Sequence, residues 1–185
     1  MIISEKKGSR PKGEVLILGI DPGTATTGWA VVRCQMSDVR CQFELVCYDC
    51  ISTSKDLEMP LRLFILQKEL VGVILRHKPD IVCVEKLFFG INARTAMSVG
   101  QARGVVLATA ASKKLPVFEY QGLSVKHLIC GHGRADKKEM EKGVLAILGK
   151  RKFEKPKSGY LDDAVDAIAI AIFHFLKEAG DISNK

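Results

Sequence analysis

The sequence predicts one α/β domain in which a mixed sheet of five strands is flanked by helices. Three short strand patterns come first, and helical and strand patterns then alternate along the 185-residue chain. Hydrophobic residues make up 47% and charged residues 26%, a globular composition that excludes wholesale disorder. Residues 1–13 are polar, so we expect a flexible tail there and a single domain over residues 14–180.

The first 51 residues predict an antiparallel meander of three strands. Val15–Ile20 is a continuous apolar run, which is typical of a buried central strand. Asp21–Thr24 has the Asp-Pro-Gly chemistry of a turn, and Gly28–Val32 begins a second strand. Gln42–Ile51 completes the meander as its third strand.

The rest of the chain alternates between helix and strand. Met59–His77 has apolar residues at helical spacing and ends before Pro79. Asp136 and Glu139 have the spacing of a capping box at a helix start. The predicted elements are helix 59–77, strand 81–84, helix 92–112, strand 116–120, short helical segments, a helix from Asp136 to about Leu148 and a helix of about 17 residues from Leu161.

Basic residues concentrate in the middle of the chain, whose net charge is +7. Residues 113–157 hold twelve basic and five acidic side chains, whereas residues 158–185 hold two basic and five acidic ones. This distribution indicates a polyanion-binding surface beside an acidic pocket. A solvated lysine-rich face explains the charge pattern alone equally well.

Six cysteines raise the question of disulfides or a metal site. Cys47 and Cys50 form one CxxC pair, without a second pair or a histidine at zinc-finger spacing. Residues three apart in a strand point to opposite faces, which suits chelation poorly, so we expect small apolar thiols in a reducing compartment. The N-terminal residues lack the pattern of a secretory signal, and no apolar run has the about 18 residues of a membrane span. We therefore expect a cytoplasmic protein without membrane contact.

Two acidic residues stand where apolar strands end. Asp21 follows the run Val15–Ile20, and Glu85 follows Ile81–Val84. A carboxylate at the end of a buried strand loses hydration unless a positive group neutralises it. Turn chemistry is the simpler explanation for Asp21, and a salt bridge to a Lys or Arg is the simpler explanation for Glu85.

Two further acids lie on the last helix. Asp163 and Asp166 are three residues apart and share a helix face that is otherwise apolar. Interaction with the helix dipole is worth about 0.3–1 kcal/mol each, which does not offset the burial of two like charges side by side. Asp162 can act as an N-cap, but that role leaves Asp163 and Asp166 unexplained.

Convergence of these four acids would create an oxygen-rich site for hard divalent cations. Such a site suits two-metal cleavage of phosphodiesters, in which one ion activates a water and a second ion, about 4 Å away, stabilises the leaving 3′ oxygen. The basic block would then hold the flanking phosphates.

Five segments share one family pattern: Leu18–Thr24, Val84–Phe89, Gly100–Gly104, Pro116–Tyr120 and Asp162–Ala171. In this order they resemble RuvC, the family of bacterial Holliday-junction resolvases. The similarity extends from about residue 15 to residue 178. It implies a ribonuclease H-like fold, a homodimer and the symmetric, Mg²⁺-dependent nicking of four-way junctions during homologous recombination and DNA repair. It also implies two Mg²⁺ ions in each active site, with Mn²⁺ as a substitute, a branch-migration helicase partner of the RuvA and RuvB type, and a location in the bacterial cytoplasm.

The resemblance also implies roles for individual residues. The acidic tetrad of the family, which holds the metal ions, falls on Asp21, Glu85, Asp163 and Asp166. The aromatic residue that stacks at the junction falls on Phe88. The catalytic and DNA-binding lysines of the family fall on Lys126 and on Lys137, and the adjacent Lys138 leaves the second assignment open. Without the resemblance, Phe88 would be a core residue and the lysines solvated surface charges.

Two rival functions are less compatible with the sequence. Gly19–Thr24 also resembles the first phosphate loop of actin-like phosphotransferases, but that fold needs two such domains and 185 residues cannot supply them. A non-catalytic junction-binding module would lack one or more of the four acids, and all four are present. The helix Asn92–Ser112, which is rich in Ala and Gly, is the candidate for a close helix contact between subunits.

Overall fold

The computed structural model describes residues 13–36, 41–86 and 93–183, without the side chains of residues 93–95 and 181–183. Every predicted strand and helix is found in this part of the chain. The predicted tail lies outside the described residues except for Gly13. In chain order the elements are β1 (Glu14–Asp21), β2 (Thr26–Met36), β3 (Cys41–Ser52), α1 (Met59–His77), β4 (Ile81–Lys86), α2 (Ala93–Ser112), β5 (Val117–Gln121), α3 (Gly122–Cys130), α4 (Lys137–Leu148) and α5 (Leu161–Ser183).

The five strands form one mixed sheet in the order β3-β2-β1-β4-β5. The expected meander accounts for the antiparallel pairs β1–β2 and β2–β3. On the other side of β1, β4 runs parallel to it, and β5 runs parallel to β4. The predicted α/β fold with a mixed five-stranded sheet is therefore confirmed. Because β1, β4 and β5 are parallel, their carboxyl ends lie at the same edge of the sheet.

Helices cover both faces of this sheet. Side chains point alternately to the two faces along β1, so Leu16 and Leu18 pack with α1 and α2 whereas Ile17 packs with α3, α4 and α5. Two apolar cores result, one on each face of the sheet. Within the described ranges, no helix is long and apolar enough to cross a membrane.

The helix ends follow local chemistry. The capping box of α4 is confirmed: the Asp136 carboxylate accepts from the Glu139 backbone N–H, and the Glu139 carboxylate accepts from the Asp136 N–H. α5 differs from its prediction, because it has 23 residues instead of about 17. It also begins at Leu161, so Asp162 lies inside the first turn and not before it, as an N-cap would.

Two glycines let α5 lie directly on the sheet. A Cβ on Gly19 would overlap the carbonyl oxygen of Ala167, and a Cβ on Gly28 would overlap the carbonyl oxygen of Asp163. Both contacts are made by the backbone of α5, so a bulkier strand residue would push the whole helix outward. The register of α5 against β1 and β2 therefore depends on glycine at both positions.

The cysteine prediction agrees with the described geometry. Cys47 packs with the α1 side of the sheet, whereas the Cys50 thiol faces α5 and donates to the carbonyl of Tyr160 at 3.1 Å. All six cysteines are free. Burial raises the pKa of Cys47 to about 11 and that of Cys50 to about 12, so both are neutral thiols at physiological pH.

The packing of α5 leads to a stability prediction. Gly19→Ala is expected to lower the free energy of unfolding by about 1–3 kcal/mol, because its Cβ would force the backbone of α5 away from β1. Gly72→Ala is the control: its Cβ would meet no atom within 4 Å, and alanine is a better helix former. Urea unfolding checks both variants. A Gly19→Ala protein as stable as the Gly72→Ala protein would contradict the steric argument.

Candidate active site

Asp21 and Glu85 lie side by side at one edge of the sheet. Ile20 pairs with Val84 in the parallel β1–β4 ladder, and the two acids are the next residues on each strand. Gly19 and Cys83 face α5. Asp21 is two residues beyond Gly19 and Glu85 is two residues beyond Cys83, so both carboxylates point to the same face, because side chains two apart in a strand lie on one side of the sheet. The strand-end positions found in the sequence thus place the two carboxylates together.

The start of α5 brings the other two acids to the same edge. Gly28, on which the Asp163 carbonyl rests, is the direct partner of Asp21 in the β1–β2 ladder. Asp163 therefore lies above the strand pair that ends in Asp21. Asp166 follows one turn later and lines a cavity together with Glu85. The close packing of α5 on β1 and β2 therefore brings Asp163 and Asp166 near the two acids at the strand ends.

Burial and repulsion between carboxylates raise the pKa values of Asp21, Asp163 and Asp166. Burial, the charges of Glu85 and Asp166 and a hydrogen bond with Glu85 raise the pKa of Asp21 well above its ordinary range. Burial, followed by the charge of Glu85, raises the pKa of Asp166 to about 6. The pKa of Asp163 is also raised, mainly by burial and in spite of the nearby Lys137 cation. These raised pKa values indicate a cluster of carboxylates whose negative charge is not neutralised by the neighbouring cationic side chains.

A small cavity of about 100 Å³ adjoins the cluster. Gly122 borders the Glu85 carboxylate so closely that a Cβ there would overlap Glu85 Oε1. Lys126, from the middle of α3, also lines this cavity, and its charge lowers the pKa of Asp166 against the larger effect of burial. The predicted lysine therefore stands beside the predicted acids. The other lining residues are Val125, Met140 and Ile170.

The two neighbouring lysines of α4 differ in their surroundings. Lys137 Nζ donates to Asp162 Oδ2 at 2.7 Å, and this bond raises the pKa of Lys137. The charge of Lys137 also acts on Asp163 and Asp166. Lys138 is exposed at the next helix position, about 100° around the axis. Lys137 is thus the lysine of this pair that adjoins the cluster.

Residues 17–174 match the family described as crossover junction endodeoxyribonuclease RuvC. The chain belongs to the RuvC family. It is 44% identical over 158 residues to the RuvC of Syntrophomonas wolfei, which covers 85% of this chain and 87% of that one. The solved structure of Thermus thermophilus RuvC superposes with a TM-score of 0.76 at 31% identity and covers 89% of this chain and 96% of its own.

A second Thermus thermophilus structure, RuvC in complex with a Holliday junction substrate, has a TM-score of 0.74 at 31% identity and covers 87% of this chain and 93% of its own. The resemblance stated from the sequence is therefore confirmed, as is the ribonuclease H-like class of the fold. In this RuvC chain, Phe88 lies outside the described residues, so its stacking role stays a prediction.

Sequence reasoning missed four residues that build the site. Gly19, Gly28 and Gly122 each leave room that a side chain would fill, and Asp162 holds Lys137. Gly19 had a visible signal, because glycine interrupts an otherwise apolar strand and often marks a close backbone approach. The Asp162–Lys137 pair had none, since the two residues are 25 positions apart.

The donor set fits a hard divalent cation. Four carboxylates supply only oxygen ligands, and a cation would neutralise the repulsion that contributes to the raised pKa values of Asp21 and Asp166. In the described part of the RuvC chain, however, no three acidic, His or Cys side chains already converge as a metal-binding group. Instead, the side chains of Asp21 and Glu85 share a hydrogen bond. We therefore expect side-chain rotation of these carboxylates on cation binding.

The raised pKa of Asp166 predicts how stability depends on pH. Between its ordinary value of 3.8 and about 6, the folded chain binds more protons than the unfolded chain. The free energy of unfolding without metal therefore falls as pH rises through this window and stays low above it. Asp166→Asn removes the effect, so in EDTA it is expected to melt above the wild type at about pH 7.5. The expected gain in the free energy of unfolding is on the order of 1.4 kcal/mol for each tenfold decrease that folding causes in the acid dissociation constant of Asp166.

Asp162→Asn is the control for this measurement, because it removes an exposed acid that already has a cationic partner. It is expected to leave the melting temperature unchanged or slightly lower. A wild type that melts at or above Asp166→Asn at about pH 7.5 in EDTA would contradict the repulsion account.

Proposed function

We propose that this chain resolves four-way DNA junctions by metal-dependent hydrolysis, with Asp21, Glu85, Asp163 and Asp166 as the metal ligands. The observation that carries the proposal is the mutual rise of carboxylate pKa values at one sheet edge of a RuvC-family chain. A structural ion pair would lower the pKa of its acid, whereas these acids repel one another.

In phosphodiester hydrolysis, the metal ions, the carboxylates and the lysines would have different roles. When bound, two Mg²⁺ ions, or Mn²⁺ as a substitute, lower the pKa of an attacking water and neutralise charge on the leaving 3′ oxygen. The four carboxylates would hold the cations, which would offset the repulsion among them. Lys126, beside Glu85 and Asp166, is placed to neutralise charge that develops on the scissile phosphate. Lys137, exposed at the start of α4, is assigned to a flanking phosphate.

Phe88 and Lys138 complete the proposed DNA contacts. Phe88 follows Glu85 by three residues, so a base stacked on it would lie next to the cleavage site. Such a stack is worth about 1–3 kcal/mol and favours an opened junction over duplex DNA. Lys138 is exposed on α4 and contributes to the same basic surface. Partnership with a branch-migration helicase of the RuvA and RuvB type and a location in the bacterial cytoplasm stay predictions from the family.

We propose a homodimer formed through the face made by α1 and α2. Phe64 is 59% exposed and Met97 is 71% exposed on this face, and a contiguous exposed apolar patch is typical of an interaction surface. Gly104 on α2 has open space at its Cβ position and lines a groove of about 470 Å³ with Phe64. A second copy is the occupant that fits, because a twofold dimer would match the approximate twofold symmetry of a four-way junction.

The function predicts that cleavage and binding separate in acid variants. Asp21→Asn and Asp166→Asn each remove a charged ligand at constant size, so cleavage of a synthetic four-way junction in Mg²⁺ should fall about 100-fold or more. Junction affinity should survive, because the basic residues remain. Asp56→Asn, which removes an exposed acid between β3 and α1, should cleave at nearly the wild-type rate. A wild-type rate for Asp166→Asn would reject these ligand assignments, and a wild type that binds junctions without cutting them would indicate a binding module.

The dimer predicts a change of mass on substitution in the α1–α2 face. Phe64→Asp places a charge at the centre of the apolar contact and should convert the dimer to a monomer in analytical ultracentrifugation. Leu128→Asp, on α3, is the control, because Leu128 is also an exposed apolar residue on a helix, at 46% exposure, but lies on the other side of the sheet. Dimers that persist in Phe64→Asp but dissociate in Leu128→Asp would place the interface elsewhere.

A further inference from the structure

The connection between α4 and α5 is strongly basic. We name residues 149–160 the basic loop. It has five cations and one acid, Glu154, and all five cationic side chains are exposed. Within the part of the chain that the structure describes, none of the five is in an ion pair with a carboxylate. The cations are Lys150, Arg151, Lys152, Lys155 and Lys157.

The path of the basic loop is held by the edge strand β3. Phe153 is buried and packs edge-on against the Tyr48 ring at 5.7 Å between centroids. The Tyr48 hydroxyl donates to the Glu154 carbonyl at 2.5 Å, and the Ser158 backbone N–H donates to the Asp49 carboxylate at 3.0 Å. The cations therefore project from an anchored backbone, which reduces the entropy lost when a ligand binds.

The end of the basic loop lies near the acid cluster, on its β3 side. Tyr160 accepts from the Cys50 thiol, Cys50 pairs with Gly28, and Gly28 pairs with Asp21. Two strand spacings, or about 10 Å, thus separate Asp21 from the strand to which the loop is attached. Lys126 adjoins the cluster from the β5 side, through α3. The acids consequently lie between Lys126 and the end of the basic loop.

We infer that the basic loop binds the phosphate backbone of junction DNA on the side of the acid cluster opposite Lys126. A strand that crosses the cluster would then meet cations on both sides of the cleaved phosphate. Exposed cations that form no ion pair with any carboxylate the structure describes are suited to a polyanion, because each phosphate contact releases condensed counterions. This inference rests on the proposed function and adds to it a second phosphate-binding surface.

The test compares two double variants of the full chain that lose the same charge. Lys155→Gln with Lys157→Gln alters the basic loop. Lys113→Gln with Lys114→Gln alters the turn before β5, which belongs to the basic block 113–157 but lies at the opposite end of the strands from the acids and is therefore expected to take no part in binding. Fluorescence anisotropy with a synthetic four-way junction in Ca²⁺ gives the salt dependence of binding, and thermal melting checks that each variant is folded.

The loop variant is expected to flatten the plot of log affinity against log salt by about 0.9 for each phosphate that it no longer neutralises, and the turn variant should keep the wild-type slope. Equal slopes for the loop variant and the wild type, or equal flattening in both variants, would overturn the inference and leave a solvated loop. Failure of the proposed function has a different signature, because the wild type itself would then not cut the junction in Mg²⁺.

Discussion

The contact between the backbone of α5 and the glycines of β1 and β2 is the constraint on which the site depends. Gly19 and Gly28 allow the helix to approach the sheet without an intervening side chain. Alanines on the facing side of α5, Ala164 and Ala167, keep the approach close, and both are fully buried. Because Gly28 pairs with Asp21, this contact also sets how far the acids at the start of α5 lie from the acids at the strand ends.

This arrangement has a cost in stability that the fold offsets elsewhere. Four carboxylates at one sheet edge repel one another, and burial raises the pKa of Asp21 and Asp166 further. The apolar cores on both faces, built around residues such as Ile17 and Leu18, hold the sheet in place against that repulsion. Lys126 and Lys137 supply part of the missing positive charge. A RuvC-family site is therefore strained without cations, as expected where function conflicts with local stability.

The sequence predicted what depends on short-range pattern. Apolar runs, periodicity and turn residues predicted the five strands and four of the five helices with approximate bounds, α3 was expected only as short helical segments, and the capping box at Asp136 was recognisable from two residues. Carboxylates at the ends of apolar strands identified Asp21 and Glu85 as unusual. The rotation of α4, which places Lys137 and not Lys138 beside Asp162, could not be predicted, because it depends on packing between distant segments. The glycine contacts of α5 and the extra length of that helix depend on tertiary packing in the same way.

The assignment of the four acids as metal ligands can be tested directly in crystals. Crystals soaked in Mn²⁺ would be measured at a wavelength where manganese scatters anomalously. Two anomalous peaks are expected about 4 Å apart, in contact with Asp21, Glu85, Asp163 and Asp166. Mn²⁺ bound only at other residues, in crystals of a protein that cleaves junctions in Mn²⁺, would contradict the assignment.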